Sequence, residues 1–414
     1  MTLPPTTTRL AGPREAPDKL VLTFVLCAAA ALVEGIDIQS TGIVAPQYAA
    51  EFGLSKQQVG AVFGLNNLGL FVGSIVAGLA TDKLGRRWTA IVSMFFFGAF
   101  SIGCALAPSG SLFTVSRVLL GVGIGGSLAN IVALVSEAGP AQTRASRVTI
   151  TTAVLAVGGA IPGAILAAWP HLNWRWIYHI GGWSPILLGV IMLLWLPESQ
   201  PYLQAKSQEK GPKPSGALGA FEALFGSGRA PVTLLLWLAT FGTFLAYYVI
   251  NNWLPSLMAA RSFSIRDASL AAMIFTGGGA MGSVLLGLLL TRARRLAILA
   301  SFIGCAVGLV GLALVETRMV LLAVIFGLGF FTTTAKNMLY GFAPLYYPVV
   351  SRGLGVGAAV SLGRIGSIVG PAAAGLMLGA GKSAASVMFA ILPVVGLALV
   401  ATLALAAFRS REVD

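Results

Sequence analysis

Glu34 and Asp37 stand three residues apart inside one apolar run, Leu20 to Val44, LVLTFVLCAAAALVEGIDIQSTGIV. The run is long enough to cross a bilayer as a helix, which takes about 20 residues. The i, i+3 spacing puts both carboxylates on one helix face. A charge at the bilayer centre costs roughly 2.5–3.5 kcal/mol on insertion scales. This face is therefore expected to look into water, to meet a partner, or to carry protons. The chemistry that fits is reversible protonation in a polar cavity inside a helix bundle. The plainer alternative is that the acids only mark the outer end of the helix. Against it, apolar sequence continues beyond them to Ala45.

Three basic residues interrupt other apolar runs. Arg117 opens Arg117-Val-Leu-Leu-Gly121-Val-Gly123-Ile-Gly125-Gly126, at a depth comparable to the two acids. A pair between Arg117 and a carboxylate of the first run would lower the insertion cost of both. A proton on Asp37 would break that pair and so couple protonation to movement. The alternative is an arginine snorkelling to the outer interface. Lys336 follows a long apolar stretch, and either pairs with a substrate carboxylate, titrates, or snorkels from the last turn. Arg364 sits in mid-run, where its fork suits a carboxylate; structural pairing with helix-end carbonyls or a neighbour is the other use. Among the aromatics, Tyr247 and Tyr340 are candidates for stacking on a ring. Asn251, Asn252 and Asn337 are polar groups in apolar surroundings, expected to face a cavity or another helix.

These residues need a scaffold, and composition says which. Of 414 residues, 57% are hydrophobic and 10% charged, and the mean hydropathy is +0.86. The chain reads as an integral membrane protein. It is helical, because its apolar runs are of about 20 residues rather than alternating strands of about 10. The net charge of +13 does not indicate nucleic-acid binding, because the basic residues lie in short clusters between apolar runs. Cys27, Cys104 and Cys305 all fall inside spans and read as small buried hydrophobes. His171 and His179 are the two histidines, and no metal-ligand spacing exists. The segment Met1–Lys19 is polar and basic; it is not a cleavable signal peptide, because the apolar segment after it is too long.

Twelve spans are expected, at 20–44, 58–80, 88–108, 112–136, 148–168, 178–196, 231–254, 268–290, 296–316, 319–341, 353–379 and 383–408. With the N-terminus inside, the cytoplasmic segments hold eighteen Lys and Arg and the outer loops six, the other three of the 27 lying within spans. That bias places both termini in the cytoplasm. The organisation expected is a tail over 1–19, a six-helix bundle over 20–196, a cytoplasmic linker over 197–230, a second six-helix bundle over 231–408 and a tail over 409–414. The linker is rich in Pro, Gly and Lys and has room for an interfacial helix at Ala217–Phe225. The halves also look alike. Gly78-x-x-x-Asp82 aligns with Gly287-x-x-x-Thr291, and Pro140-x-x-x-Arg144 with Pro348-x-x-x-Arg352. The glycine-proline break at Gly158, Gly159 and Pro162 has a counterpart at Gly366, Gly370 and Pro371. Two parallel six-helix repeats with a site between them describe one architecture of secondary transporters.

Gly78-Leu-Ala-Thr-Asp82-Lys83-Leu-Gly85-Arg86-Arg87 resembles the GxxxDxxGRR loop of the major facilitator superfamily, and Arg117 to Gly125 its RxxxGxGxG. The glycines permit a tight turn and close helix approach. Asp82 can accept from a helix N-terminus or an arginine and latch a cytoplasmic gate. Within that superfamily the chain is most similar to the aromatic acid:proton symporters. Glu34-Gly35-Ile36-Asp37 is similar to their DGxD, with a longer first acid. Asn130 to Glu137, Trp174-Arg175, Leu196-Pro197-Glu198-Ser199, Trp253-Leu-Pro255 and Gly363-Arg364-x-Gly366 fit as well. Lys336 departs from the pattern, which has a neutral glutamine nearby.

The resemblance implies a monomeric twelve-helix transporter of the cytoplasmic (inner) membrane, working by alternating access. The expected function is proton-coupled uptake of a small organic anion, an aromatic carboxylate of the benzoate or hydroxybenzoate type. Asp37, helped by Glu34, would take the proton. Arg117, Lys336, Arg364, Tyr247, Tyr340, Asn337 and Asn251 would line the substrate site. Gly78, Asp82, Gly85, Arg86, Glu137 and Arg144 would work the inner gate. Partners are the anion, the proton and the lipid bilayer, with no cofactor beyond the proton gradient and no enzymatic chemistry. A proton-driven exporter of drugs or metabolites is the alternative, since Gly158 to Gly163 faintly resembles an antiporter signature.

Overall fold

A computed structural model describes residues 17–139, 143–199, 202–203, 221–222, 224–226, 228–347 and 352–408. Residues 1–16 of the expected N-terminal tail, the C-terminal tail, most of the expected linker and most of its interfacial helix lie outside the described residues, as do Pro140 and Pro348; Pro17 to Lys19, expected in the tail, open the first helix.

The described residues are helical apart from short connections, and among them twelve helices are long and apolar enough to cross a membrane. In the first half these are α1 (Pro17–Ile43), α3 (Lys56–Leu84), α4 (Arg86–Leu106), α5 (Gly110–Glu137), α6 (Arg144–Ala168) and α7 (Arg175–Trp195). In the second half they are α8 (Ala230–Ala260), α9 (Ile265–Arg292), α10 (Arg294–Leu314), α11 (Arg318–Phe342), α12 (Arg352–Gly379) and α13 (Ala384–Ala407). A short helix, α2 (Ala45–Glu51), follows α1 almost without a break and was not expected. Helix α8 also runs past its expected end at 254, through Pro255 to Ala260.

Serine starts four of the helices that begin on one membrane face. Ser55, Ser109, Ser264 and Ser383 each accept a backbone N–H of the first turn, and Ser55 with Gln58 completes a capping box. Packing repeats between the halves. Helix α1 packs on α6 as α8 packs on α12; α3 packs on α5 as α9 packs on α11; α4 packs on α7 as α10 packs on α13. Two equivalent contacts, α3 with α12 and α6 with α9, join the halves.

That joint is a seam at the face where α1 ends and α3 begins. A Cβ on Gly60 would stand 2.8 Å from Gly375 Cα, so α3 and α12 touch backbone to backbone. Asn67 donates to Ser367 O at 2.9 Å, the Phe63 and Trp253 rings meet edge-on at 5.2 Å, and Gly163 lies against Ser269 O. The seam thus reaches from that face towards the middle of the bundle.

Candidate functional site

Helix α1 carries Glu34 and Asp37 into the interior of the first half. Both are buried, as is Arg117 of α5. Arg117 Nη1 stands 3.6 Å from Asp37 Oδ1. Its Nη2 donates to Asn66 Oδ1 at 2.9 Å and to Thr41 Oγ1, and the guanidinium lies 5.4 Å from the Tyr178 ring centroid. Ser101 Oγ lies 3.3 and 3.2 Å from the two Asp37 oxygens and 3.0 Å from Tyr178 O. Room for the carboxylate comes from α7: a Cβ on Gly181 would stand 2.2 Å from Asp37 Oδ2. The glycines after Arg117 hold α5 in place, Gly121 against Asn66 O, Gly125 against Leu70 O and Gly123 against the Phe97 backbone. Glu34 has different surroundings. Neither of its oxygens has a hydrogen-bond partner. The Ser127 hydroxyl, close enough to act on Glu34, is turned onto Met94 Sδ at 3.1 Å.

Above this site, towards the seam face, lies a lid of rings from Tyr48, Phe52, Phe113 and Trp174. Glu51 at its rim accepts from Arg175 and from Trp174 Nε1, both at 2.6 Å. The Arg175 hydrogen bond holds the Glu51 carboxyl below the usual carboxylate range.

The second half builds a different cluster. Lys336 Nζ of α11 stands 3.8 Å from the centroid of the Tyr247 ring on α8. Arg364 of α12 donates from Nη1 to Tyr248 Oη at 3.2 Å, and the two cations are close enough to repel. Around them the Tyr247 ring meets Tyr248 at 5.1 Å and Phe275 at 6.0 Å, and Phe244 meets Tyr340 at 5.6 Å. Lys336 and Arg364 are half-buried. This is a cationic pair set in an aromatic cage.

The sequence reading placed Arg117 with Lys336 and Arg364 around one substrate chamber. The structure separates them. Arg117 is enclosed with Asp37 inside the first half, because α5 is drawn onto α3 and α4; Lys336 and Arg364 belong to the second half. Asn337, expected near the substrate, donates to Ser283 Oγ at 2.9 Å and ties α11 to α9. Asn251 bridges the halves: its Nδ2 donates to Gln39 Oε1 at 2.8 Å, and Gln39 Nε2 donates to Thr276 Oγ1 at 3.0 Å.

At the opposite end of the first half, Gly85 turns the chain from α3 into α4 with φ +92°, a left-handed value that favours glycine. Glu198 Oε1 accepts from the backbone N–H of Arg86 and of Arg87, at 3.1 and 3.0 Å, and so caps α4. Arg86 Nε pairs with Glu137 Oε2 at 2.6 Å, and Ser199 Oγ donates to the same oxygen. Gly78 makes no close approach, since a Cβ there would meet nothing within 4 Å. The side chains of Asp82 and Arg144 lie outside the described residues.

A family model described as Major Facilitator Superfamily matches residues 27–264 and 236–414. The 3-(3-hydroxy-phenyl)propionate transporter of Escherichia coli (strain K12) is 35% identical over 400 residues, 96% of this chain and 97% of that protein. The chain belongs to the Major Facilitator Superfamily. The gallate transporter of Pseudomonas putida is 31% identical, over 87% of this chain and 86% of the relative. In the fold, the chain is similar to the xylose transporter from E. coli in a partially occluded inward open conformation (TM-score 0.76, 14% identity, 96% and 99% covered). It is similar too to a bacterial homolog of the human lysosomal transporter Spinster, inward-facing and occupied (TM-score 0.72, 16% identity, 94% and 96% covered). The superfamily and these relatives are transporters, not enzymes, and the chain is a multi-pass membrane protein.

For a superfamily member, several residues matter that sequence reasoning passed over. Ser101, Thr41 and Asn66 complete the Asp37 and Arg117 site, and Gln39 with Thr276 crosses the seam. Their signal was there, as polar side chains inside apolar runs, but nothing local says which helix each one faces. The Gly158 to Gly163 run has a packing role: Gly158 rests on Leu32 O, Gly159 on the stem of Gln39, and Gly163 on Ser269 O.

Proposed function

We propose that this chain is a proton-coupled importer of a small aromatic carboxylate, working by alternating access in the cytoplasmic membrane with both termini inside. One observation carries the anion. Between residues 231 and 408 the acids are Asp267 and Glu316 alone, the first in the opening turn of α9 and the second in the connection between α10 and α11. The cations of the cage, Lys336 and Arg364, therefore have no carboxylate of their own half beyond the first turn of a span. An uncompensated charge in a span is costly, and a substrate carboxylate is the counter-ion that removes the cost. The rings of Tyr247, Tyr340 and Phe275 suit an aromatic body. Relatives named for 3-(3-hydroxy-phenyl)propionate, gallate and 4-hydroxybenzoate support that class.

The proton belongs to the first half. With Asp37 ionised, its charge faces Arg117 and the Ser101 hydroxyl can donate to it. With Asp37 protonated, Ser101 is free to donate to Tyr178 O and to accept from the acid. Glu34, on the same face, assists. With the termini inside, the closed seam is the outer gate, and the cage opens inward. The substrate carboxylate offsets the cations of the cage, the proton on Asp37 releases Arg117 from its ion pair, and the halves rock about the seam while Arg86, Glu137 and Glu198 hold and release the inner end.

The test is uptake of labelled benzoate and 4-hydroxybenzoate by proteoliposomes made acidic outside, with protein-free liposomes as the control for passive entry. Wild type accumulates substrate and acidifies the lumen beyond the control. Asp37→Asn loses accumulation but keeps counterflow, and Lys336→Ala with Arg364→Ala loses both. Normal accumulation by Asp37→Asn would end the coupling assignment; alkalinisation of the lumen by wild type would point to antiport.

A further inference from the structure

The polar chain across the seam has one loose end. Asn251 Nδ2 donates to Gln39 Oε1 and lies 3.3 Å from Asn252 Oδ1. Both neighbours are acceptors, so the amide nitrogen must face them and the amide oxygen must point elsewhere. Thr276 Oγ1 accepts from Gln39 and donates on to Ala272 O at 3.0 Å. Asn251 Oδ1 is left buried without a partner, on a residue 8% exposed. A buried acceptor in this state is a site for a donor.

The arrangement around it is fixed. A Cβ on Gly159 would stand 2.6 Å from Gln39 Cγ, and Gly42 lets α1 lie against the backbone oxygens of Asn251 and Asn252. Asn251 stands four residues beyond Tyr247, about 6 Å along the same face of α8. Thr276 follows Phe275, whose ring meets Tyr247. The chain therefore closes the seam end of the cage whose other end is Lys336.

We infer that Asn251 Oδ1 is the acceptor for a ring hydroxyl, and so selects ring-hydroxylated aromatic acids over unsubstituted ones. This rests on the carboxylate reading given above. A carboxylate held by Lys336 lays its ring along Tyr247, and the far edge of the ring arrives one helical turn away, at Asn251. Hydroxyl-bearing ligands satisfy the acceptor; ligands without a donor bury it unpaired, which is how such sites reject analogues that lack the group.

Binding to the purified full-length protein tests this, by calorimetry with benzoate, 3-hydroxybenzoate, 4-hydroxybenzoate and 4-methoxybenzoate. Wild type is expected to bind a hydroxylated acid about tenfold more tightly than benzoate or the methoxy acid, the effect of one neutral hydrogen bond. Asn251→Ala is expected to bring that ratio close to one, by a larger loss for the hydroxylated acids than for benzoate. Equal wild-type affinity for 4-hydroxybenzoate and 4-methoxybenzoate overturns the inference without any variant, as does an equal loss of all four ligands in Asn251→Ala. Absence of binding for all four in wild type is a different failure, since it removes the carboxylate reading itself.

Discussion

Asp37 and Glu34 share a helix face but not an environment. Asp37 has Arg117 at 3.6 Å and the Ser101 hydroxyl within 3.3 Å; Glu34 has no hydrogen-bond partner. Replacing each acid by its amide should therefore have unlike effects. Asp37→Asn leaves Arg117 enclosed without its counter-charge, and breaking a buried pair from one side costs about 3–5 kcal/mol. Glu34→Gln removes an ionisable group that nothing balances, and stability should hold or rise. Adding Arg117→Gln to Asp37→Asn should restore part of the loss, because the unpaired charge goes too. Thermal unfolding of the three variants in detergent checks this. If Glu34→Gln lowers Tm as far as Asp37→Asn does, then Glu34 has a stabilising partner and the contrast drawn here is wrong.

At the scale of elements, the turn between α3 and α4 shows how a local rule and a distant contact combine. Gly85 takes φ +92°, and a Cβ there would stand 2.3 Å from Glu198 Oε2. Gly85→Ala should cost about 1–3 kcal/mol in backbone strain, and it should also push Glu198 off the start of α4. Transport turnover should drop while the affinity for benzoate, set in the other half, stays. Counterflow rates beside equilibrium binding separate the two; a matching fall in affinity would tie this turn to the substrate site instead. The glycine was legible, because GxxxDxxGRR is local. Its partner was not, because Glu198 lies 112 residues from Arg86 and no periodicity reports such a distance. The spans themselves were legible from run length. Helix α2 was missed because Ala45-Pro-Gln-Tyr-Ala-Ala-Glu51 is too short to show an apolar period of its own. The partnership of Asp37 with Arg117 could be read across 80 positions, because so few charges occur inside spans that each has few possible mates. Polar residues such as Gln39 and Thr276 are commoner, and their pairing needed coordinates.

Across the whole molecule, charge is divided between the halves. The first half buries Glu34 and Asp37 with Arg117; the second holds Lys336 and Arg364, and its one helical acid among the described residues, Asp267, lies in the first turn of α9. Neither cluster reaches the other, so coupling must pass through the contacts that join the halves. One of them is where Gly60 of α3 and Gly375 of α12 meet with backbones touching. A side chain there has no room while the seam is closed and gains room when it opens. Gly60→Leu should therefore act as a wedge. Overpacking of this kind costs about 1–3 kcal/mol, which as a bias between two states is a shift of roughly 5–150-fold. The population should move towards the seam-open state. Ser367, buried in the seam beside Asn67, is the reporter position. With Ser367→Cys in a background lacking Cys27, Cys104 and Cys305, which are all buried and free, a membrane-impermeant maleimide added from the seam side should react faster once Gly60→Leu is present. Gly78→Leu, at a position where a new Cβ meets nothing, should not speed it. Unchanged labelling in a folded Gly60→Leu protein would mean that this contact does not hold the closed state, and that the balance between the two states is set elsewhere along the interface.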